Sequence, residues 1–351
     1  MSTKERTPSP AADDGSALRA SSVPLSESFD VAMLDLDGGV YIGADAVPGA
    51  AKHLSAAASS GMSLAYVTNN AARTPRTVAE HLRVLGVPAS DDDVVTSAQA
   101  AARLVSERVE PGAAVFVIGG EGLFEALTEL GVRPVQTLDA DPVAVAVVSG
   151  YHPELRWRTV IDGAILVRQG VPWVASNTDL TVPTPHGPGP GNGVLVRAVA
   201  EFAQVDPVVA GKPETPLFEE TLRRVGGERP LVVGDRLDTD IEGAVRAGYD
   251  SLLVMTGVTG LDELVAARPG RRPTYLAADL GGLLTEHGCP EQDGDGWELG
   301  GWQGGVRAAK LELSGDGTVD DWWRVVARAA WDHLDRTGDT VDTDGLAPPE
   351  R

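Results

Sequence analysis

The chain has 351 residues and is 42% hydrophobic, which is enough to bury the cores of two packed domains. Its formal net charge of −22 argues against partners that need a basic face, so nucleic acids and anionic membranes are excluded as predicted partners. One cysteine, Cys289, excludes an intramolecular disulfide, and together with the lack of a signal-peptide-like or membrane-spanning apolar run it predicts a cytoplasmic protein.

The chain begins with a polar leader, followed by an apolar strand that ends in two acids. Residues 1–27 are rich in Ser, Pro, Ala and charge, and we expect a disordered leader there. The apolar run 31–34 suits a buried parallel strand, and Asp35 and Asp37 follow at its carboxyl end, where open α/β sheets bind ligands. Two carboxylates this close need a cation, a phosphate or a shared proton. The alternative is an ordinary turn, because Asp-Gly is a common turn pair.

The second predicted strand, over 62–68, ends in a hydroxyl and two amides. Thr68, Asn69 and Asn70 can hydrogen-bond phosphate oxygens without adding charge, although the same residue types also cap helices. Helices alternate with these strands, and this alternation predicts a mostly parallel sheet. The predicted helices span 47–60, 75–85 and 96–109.

A new series of strand–helix units follows. Gly119 and Gly120 do not have the spacing of a dinucleotide-binding loop, so we interpret them as a tight turn rather than a phosphate site. The breaker-rich residues 186–193 are interpreted as a hinge or return loop. The predicted elements in between are strands over 113–118, 143–148 and 173–176 and a helix over 155–168.

Two more charged segments follow along the chain. Lys212 comes after a short apolar strand, and its ammonium could neutralise a phosphate and a nucleophilic carboxylate together, although a solitary lysine is usually at the surface. The apolar strand 230–234 runs into Asp235, and Asp240 follows. This many carboxylates around the tips of buried strands favour a hard cation such as Mg²⁺. Asp238 is interpreted as a solvated loop acid.

The order of these pieces resembles the haloacid dehalogenase (HAD) superfamily. That family's pattern is Asp-x-Asp-Gly, a Thr or Ser after a strand, a Lys, and Gly-Asp-x-x-x-x-Asp. The matching residues are Asp35-Leu36-Asp37-Gly38, Thr68, Lys212, and Gly234-Asp235 with Asp240. The segments 68–70, 176–181 and 210–213 look more narrowly like the class IIA, 4-nitrophenylphosphatase/NagD-like branch.

The resemblance covers residues 28 to 285 and implies an α/β fold with two parts. These are a HAD-type Rossmann-like core with a mostly parallel sheet, over 28–87 and 187–285, and a large inserted α/β cap domain over 88–186. Residues 286–336 lie outside the family pattern as a C-terminal extension, with a strand predicted over 306–313 and an amphipathic helix over 319–334. We expect the acidic tail 337–351 to be disordered.

The chemistry that the resemblance implies is that of a Mg²⁺-dependent phosphatase for a small phosphorylated metabolite. Asp35 would be the nucleophile that forms an aspartyl-phosphate. Asp37 would protonate the leaving alcohol and then activate water. The implied metal ligands are Asp35, the backbone carbonyl of Asp37, Asp235, and Asp240 through water.

The resemblance also implies how substrate is held. Thr68, Asn69 and Lys212 would hold the phosphoryl group, and the cap residues Asn177 and Asp179 would face the substrate. The prediction also admits a homo-oligomer formed through the cap.

Two alternatives stay open from the sequence. One is a phosphomutase of the same superfamily. The other is a non-catalytic binding protein that docks a partner through tryptophans of the extension, although we favour packing of the extension against the core.

Overall fold

Strands and helices alternate through most of the chain. The computed structural model describes residues 18–43, 45–184 and 186–349. The helices are α1 Leu25–Ser28, α2 Ala50–Ser59, α3 Pro75–Val84, α4 Ser97–Ser106, α5 Glu121–Glu129, α6 Trp157–Arg168, α7 Asn192–Ala203, α8 Pro216–Val225, α9 Glu242–Ala247, α10 Leu261–Val265 and α11 Val319–Thr337. The strands are β1 Val31–Asp35, β2 Tyr41–Ile42, β3 Asp45–Ala46, β4 Ser63–Thr68, β5 Val94–Thr96, β6 Ala114–Ile118, β7 Arg133–Val135, β8 Ala146–Ser149, β9 Trp173–Ala175, β10 Thr181–Thr184, β11 Gly187–Pro190, β12 Val208–Val209, β13 Pro230–Gly234, β14 Asp250–Val254, β15 Tyr275–Ala277, β16 Glu291–Asp293, β17 Gly296–Leu299, β18 Trp302–Arg307 and β19 Lys310–Gly315.

The first sheet has six parallel strands in the order β15-β14-β13-β1-β4-β5. Its central strand β1 is apolar on both faces, as a parallel strand covered by helices must be. Ala32 and Leu34 pack in a cluster with side chains of α2 and α3. Val31 and Met33 belong to a second cluster that includes α4 and α8. The predicted α/β fold with a mostly parallel sheet is confirmed.

The second sheet is also parallel and has five strands, in the order β12-β9-β8-β6-β7. Phe116 and Ile118 face one cluster with α6 and α7. Val115 and Val117, on the opposite face, share their cluster with α4, α5 and strand β1 of the first sheet. One continuous apolar layer therefore joins the two sheets.

Strand pairing corrects the predicted cap range 88–186 at both ends. Tyr66 of β4 lies opposite Val94 of β5, so residues 94–96 belong to the first sheet. Val208 of β12 pairs with Val174 of β9, so the second sheet extends to residue 209. A local sequence pattern indicates a strand, but it does not indicate which sheet the strand joins.

The predicted return loop 186–193 contains regular structure. Residues 187–190 form β11, which pairs antiparallel with β10. Residues 192 and 193 already belong to helix α7. Prolines and glycines in this hairpin hid the strand pattern, because both residue types are depleted in strands.

The C-terminal extension is a four-stranded antiparallel sheet, β16-β17-β18-β19, against which α11 packs. The single strand predicted over 306–313 is wrong: Ala308 and Ala309 adopt positive φ and turn the chain between β18 and β19. Trp322, Trp323 and Trp331 are buried in the cluster that joins the extension to β14 and β15. These tryptophans are therefore packed against the core, as the favoured interpretation predicted, and do not form an exposed docking surface.

Both predicted disordered ends are partly ordered. Residues 1–17 of the leader lie outside the described residues, but Leu18 and Leu25 are buried. In the tail, Val341 is buried and Thr343 Oγ1 donates a 2.7 Å hydrogen bond to Asp262 Oδ1. No helix in the described ranges is long and apolar enough to cross a bilayer.

His287 connects helix α11 of the extension to the segment that follows β15, and its burial should make the stability of the protein sensitive to acid. Its Nε2 donates to Gly282 O at 2.8 Å, and Arg324 of α11 donates to its Nδ1 at 3.0 Å. Burial, together with the Arg324 charge, lowers the pKa of His287 to about 4.

The unfolded chain therefore binds this proton more readily than the native one. We expect the free energy of unfolding to fall as the pH drops from about 6.5 to 4, by about 3 kcal/mol from this group. Denaturant unfolding of the wild type and of His287→Gln across this pH range measures how steeply the free energy of unfolding depends on pH. An equally steep slope in the variant would contradict the assignment.

Candidate active site

Five polar side chains converge where β1, β4 and β13 end. Asp35 and Thr68 are the last residues of β1 and β4, and Asp235 directly follows β13. Since β1 pairs in parallel with both neighbours, these ends meet at one edge of the sheet. Lys212 Nζ donates hydrogen bonds to Asp35 Oδ1 at 2.5 Å and to Asp240 Oδ1 at 2.8 Å. Segments far apart in sequence therefore form one polar cluster.

Asp35, Asp235 and Asp240 form a carboxylate cluster that fits a divalent cation. Each offers an oxygen, and these oxygens lie within 4.8 Å of one another. Asp235 Oδ1 is buried and accepts no hydrogen bond from the described residues, whereas Asp235 Oδ2 accepts one from Val258 N at 2.6 Å. A buried carboxylate oxygen without a donor is costly unless a cation binds it. With the Lys212 ammonium the ionised cluster carries a net charge of −2, which one divalent ion neutralises.

Two glycines let the backbone approach Asp235 closely. Gly38 has a φ of +93°, and a Cβ there would lie 2.4 Å from Asp235 Oδ2. A Cβ on Gly257 would lie 2.0 Å from the same oxygen. The glycine of the Asp-x-Asp-Gly pattern therefore gives this carboxylate its space, besides allowing the turn.

Burial and crowding shift the titration of the cluster. Burial first, and then the charges of Asp35 and Asp240, raise the pKa of Asp235 to about 8. Burial also raises the pKa of Asp240 to about 6, although Lys212 opposes the shift. Burial by itself would lower the pKa of Lys212, but Asp240 and Asp35 outweigh it and the pKa is raised. The lysine therefore stays charged, and a bound cation would keep the acids ionised at neutral pH.

Asp37 is an exposed residue that lines the cleft, and it does not belong to the carboxylate cluster. Desolvation raises the pKa of its carboxyl group, although Lys212 and Arg73 attract the charged form. A raised pKa favours a carboxyl group that can carry a proton to a leaving oxygen. The Asp37 carboxylate is not one of the three carboxylates of the cluster. The predicted metal contact through the Asp37 backbone carbonyl stays a prediction.

The Asn69 side chain bonds to protein groups, and the predicted contact of Asn69 with the phosphoryl group stays a prediction. Its Oδ1 accepts from Lys212 N at 2.8 Å, and its Nδ2 donates to Lys212 O at 3.0 Å and to Asp179 Oδ1 at 3.1 Å. An amide nitrogen has two protons, so no side-chain donor remains. Asn70 lines the cleft, and its Oδ1 accepts from Ala72 N, which leaves its Nδ2 for a ligand. The sequence alone does not identify Asn70 rather than Asn69 as the phosphate ligand, because both amides have the same local pattern.

The cap loop after β9 forms the opposite wall of the site. Asn177 is buried, and its Nδ2 donates to Asn69 O at 2.6 Å, so it holds the loop in place. Asp179 lines the same cleft as Asp35, Asp37 and Lys212, which has a volume of about 900 Å³. The two predicted cap residues therefore differ: Asn177 makes a structural contact, and Asp179 borders the space for a substrate.

Two family models match the chain. One, described as haloacid dehalogenase-like hydrolase, matches residues 32–133, and the other, described as HAD-hydrolase-like, matches residues 209–283. A D-glycerol 3-phosphate phosphatase of Mycobacterium tuberculosis is 40% identical over 321 residues, which are 88% of this chain and 87% of the relative. The chain belongs to the haloacid dehalogenase-like hydrolases.

Relatives of this hydrolase are phosphatases. A crystal structure of glycerol phosphate phosphatase from M. tuberculosis in complex with magnesium superposes with a TM-score of 0.80 at 38% identity, covering 88% of this chain and 92% of that one. An acid sugar phosphatase of Staphylococcus aureus is 34% identical over 74% of this chain and 98% of its own length. The p-nitrophenyl phosphatase from Archaeoglobus fulgidus superposes with a TM-score of 0.67 at 29% identity, and the match covers 73% of this chain and 98% of that one. The predicted family and the enzyme class, a phosphoric monoester hydrolase, are confirmed.

Proposed function

We propose that this hydrolase is a Mg²⁺-dependent phosphatase that cleaves a small phosphorylated metabolite through an aspartyl-phosphate on Asp35. The observation that carries the proposal is the contact of Lys212 Nζ with both Asp35 and Asp240, next to the unpartnered oxygen of Asp235. This arrangement holds a carboxylate nucleophile, a cation for the phosphoryl oxygens and a place for a divalent ion within one cluster.

The chain's own residues supply the steps. The Asp35 carboxylate attacks phosphorus, and the bond from phosphorus to the leaving oxygen breaks as Asp37 gives that oxygen its proton. Asp37 then takes a proton from water, and the water oxygen attacks phosphorus and releases Asp35 and phosphate. Lys212, Thr68 and the Asn70 amide hold the phosphoryl oxygens during both steps. Bound Mg²⁺, held by Asp35, Asp235 and Asp240, would balance the negative charge that builds up on those oxygens.

Mg²⁺ should both activate and stabilise the enzyme. We expect EDTA to reduce turnover of 4-nitrophenyl phosphate by at least about 100-fold, and added Mg²⁺ to restore it. Because the ion binds the native cluster only, Mg²⁺ at about 100 times its Kd should add about 3 kcal/mol to the free energy of unfolding. Thermal melting with and without Mg²⁺ measures this independently of activity. A melting temperature that is the same with and without Mg²⁺ would contradict the metal assignment.

The phosphomutase alternative differs in its product. The phosphatase relatives favour hydrolysis, in which phosphate appears free in solution. An isomeric sugar phosphate without free phosphate would support transfer instead. The cytoplasmic location and a homo-oligomer through the cap both stay predictions.

A further inference from the structure

The loop 256–259, which follows strand β14, holds Asp235 of the carboxylate cluster at two points. The backbone N of Val258 donates to Asp235 Oδ2 at 2.6 Å, and the backbone N of Thr259 donates to Asp235 O at 3.1 Å. Thr259 is buried, so this end of the loop is packed into the interior. The loop therefore fixes both the main chain and the carboxylate of Asp235.

Thr256 joins the same loop to the turn after β1 that carries Asp37. The Thr256 hydroxyl Oγ1 donates to Gly38 O at 2.7 Å, and Gly38 directly follows Asp37 in the sequence. The loop and the turn also pack closely, because a Cβ added to Gly257 would lie 2.8 Å from the Cα of Gly38. The contacts of the loop with Asp235 use backbone N–H groups, so Thr256 is the side chain that fastens the loop to the turn.

These contacts decide which oxygen of Asp235 is free to bind a cation. Val258 N holds Oδ2, and Oδ1 is the buried oxygen that has no donor among the described residues. A rotation of the carboxylate would break the hydrogen bond at Oδ2. A hydrogen bond to a ligating carboxylate orients it towards its ion, and loss of such an outer partner typically lowers metal affinity or activity about 10- to 100-fold.

We propose that the loop 256–259 positions the Asp235 carboxylate for Mg²⁺, and that Thr256 is the positioning residue that keeps this loop aligned with the turn of Asp37. The inference rests on the proposed function and adds a residue that acts through others. Without the Thr256 hydroxyl, Asp235 and Asp37 lose their fixed relative placement, so Mg²⁺ binding and proton transfer to the leaving oxygen both weaken. Lys212 and Thr68, which hold the phosphoryl group, make no hydrogen bond with Thr256.

Thr256→Val tests the inference, because it keeps the shape of the side chain and removes the hydroxyl. We expect the Kd for Mg²⁺, measured from the melting temperature at increasing Mg²⁺ without substrate, to rise by about 10-fold. At saturating Mg²⁺, kcat for 4-nitrophenyl phosphate should fall by about 10-fold, while KM stays within about 2-fold of the wild type. Thr256→Ser restores the donor, so Kd and kcat should both return to within about 3-fold of the wild type.

Gly257→Ala tests the same loop independently of the Thr256 hydroxyl. Its Cβ would lie 2.0 Å from Asp235 Oδ2, so the carboxylate must move away from its place. The Kd for Mg²⁺ should again rise by at least about 10-fold. An unchanged Kd in Gly257→Ala would overturn the inference, even if Thr256→Val failed to fold.

Thr128→Val is the matched control. Thr128 Oγ1 also donates a 2.7 Å hydrogen bond to a backbone carbonyl, that of Phe124 on helix α5, and Thr128 does not line the cleft. Its loss should leave the Kd for Mg²⁺ and kcat at their wild-type values. An unchanged Kd in Thr256→Val, or an equal loss in Thr256→Ser, would overturn the inference while the wild type keeps its Mg²⁺-dependent turnover. A wild type that hydrolyses no phosphomonoester with Mg²⁺ would instead contradict the proposed function.

Discussion

Replacing Asp35 with asparagine should reduce kcat by at least about 10³-fold, because the amide can neither attack phosphorus nor hold the covalent intermediate. The side chain is nearly isosteric, and its Oδ1 can still accept from Lys212 Nζ. The loss should therefore appear in kcat far more than in the melting temperature. Steady-state turnover of 4-nitrophenyl phosphate at saturating Mg²⁺ measures it.

Asp238→Asn is the control for this substitution. Asp238 borders the same cleft, but Arg236 Nε and Nη2 bind its two oxygens at 3.1 Å and 2.9 Å, and it has no place in the mechanism. We expect its turnover to stay within a few-fold of the wild type. If Asp35→Asn were as active as this control, Asp35 would not be the nucleophile.

Lys212→Met should have the second large effect, because it should lower both the free energy of unfolding and kcat. Lys212 is 3% exposed and is the ion-pair partner of both Asp35 and Asp240. Without its charge the carboxylates are left buried and unpaired, which should lower the free energy of unfolding by about 3 kcal/mol in the absence of Mg²⁺. We also expect kcat to fall by about 10³-fold, since the phosphoryl group loses its main protein cation.

Mg²⁺ separates the two roles of Lys212. Saturating Mg²⁺ should recover part of the lost stability, because it supplies charge to the same cluster, but it should not recover kcat. Lys52→Met, at an exposed position of α2, removes the same charge and should change neither quantity. A Lys212→Met protein with wild-type stability without metal would contradict the electrostatic account of the cluster.

The chemistry of the centre could be predicted from the sequence because it depends on strand ends. Asp35, Thr68 and Asp235 each end or follow an apolar run, and parallel strands bring such ends to one edge. Lys212 was harder to place, because a lone lysine after a two-residue strand has no pattern of its own. Its role followed from the family resemblance, and the contacts with Asp35 and Asp240 now give it a physical basis.

Features that depend on long-range pairing could not be predicted. The sheet that β5 joins is decided by its pairing with β4, and the two alanines between β18 and β19 turn the chain without the Asn-Gly signal of a tight hairpin. The roles of Asn69 and Asn70 separate only when Lys212 and Asp179 are in place, because adjacent amides look alike in a sequence.

Chemical trapping of the intermediate tests the central claim most directly. In a single turnover with excess enzyme and Mg²⁺, quenched in acid, the phosphoryl group should be found on the enzyme as an acyl phosphate. Borohydride reduction should then convert residue 35 to homoserine, which peptide mass spectrometry detects. A label at another residue, or hydrolysis at full rate with no phosphorylated enzyme at any quench time, would contradict the account.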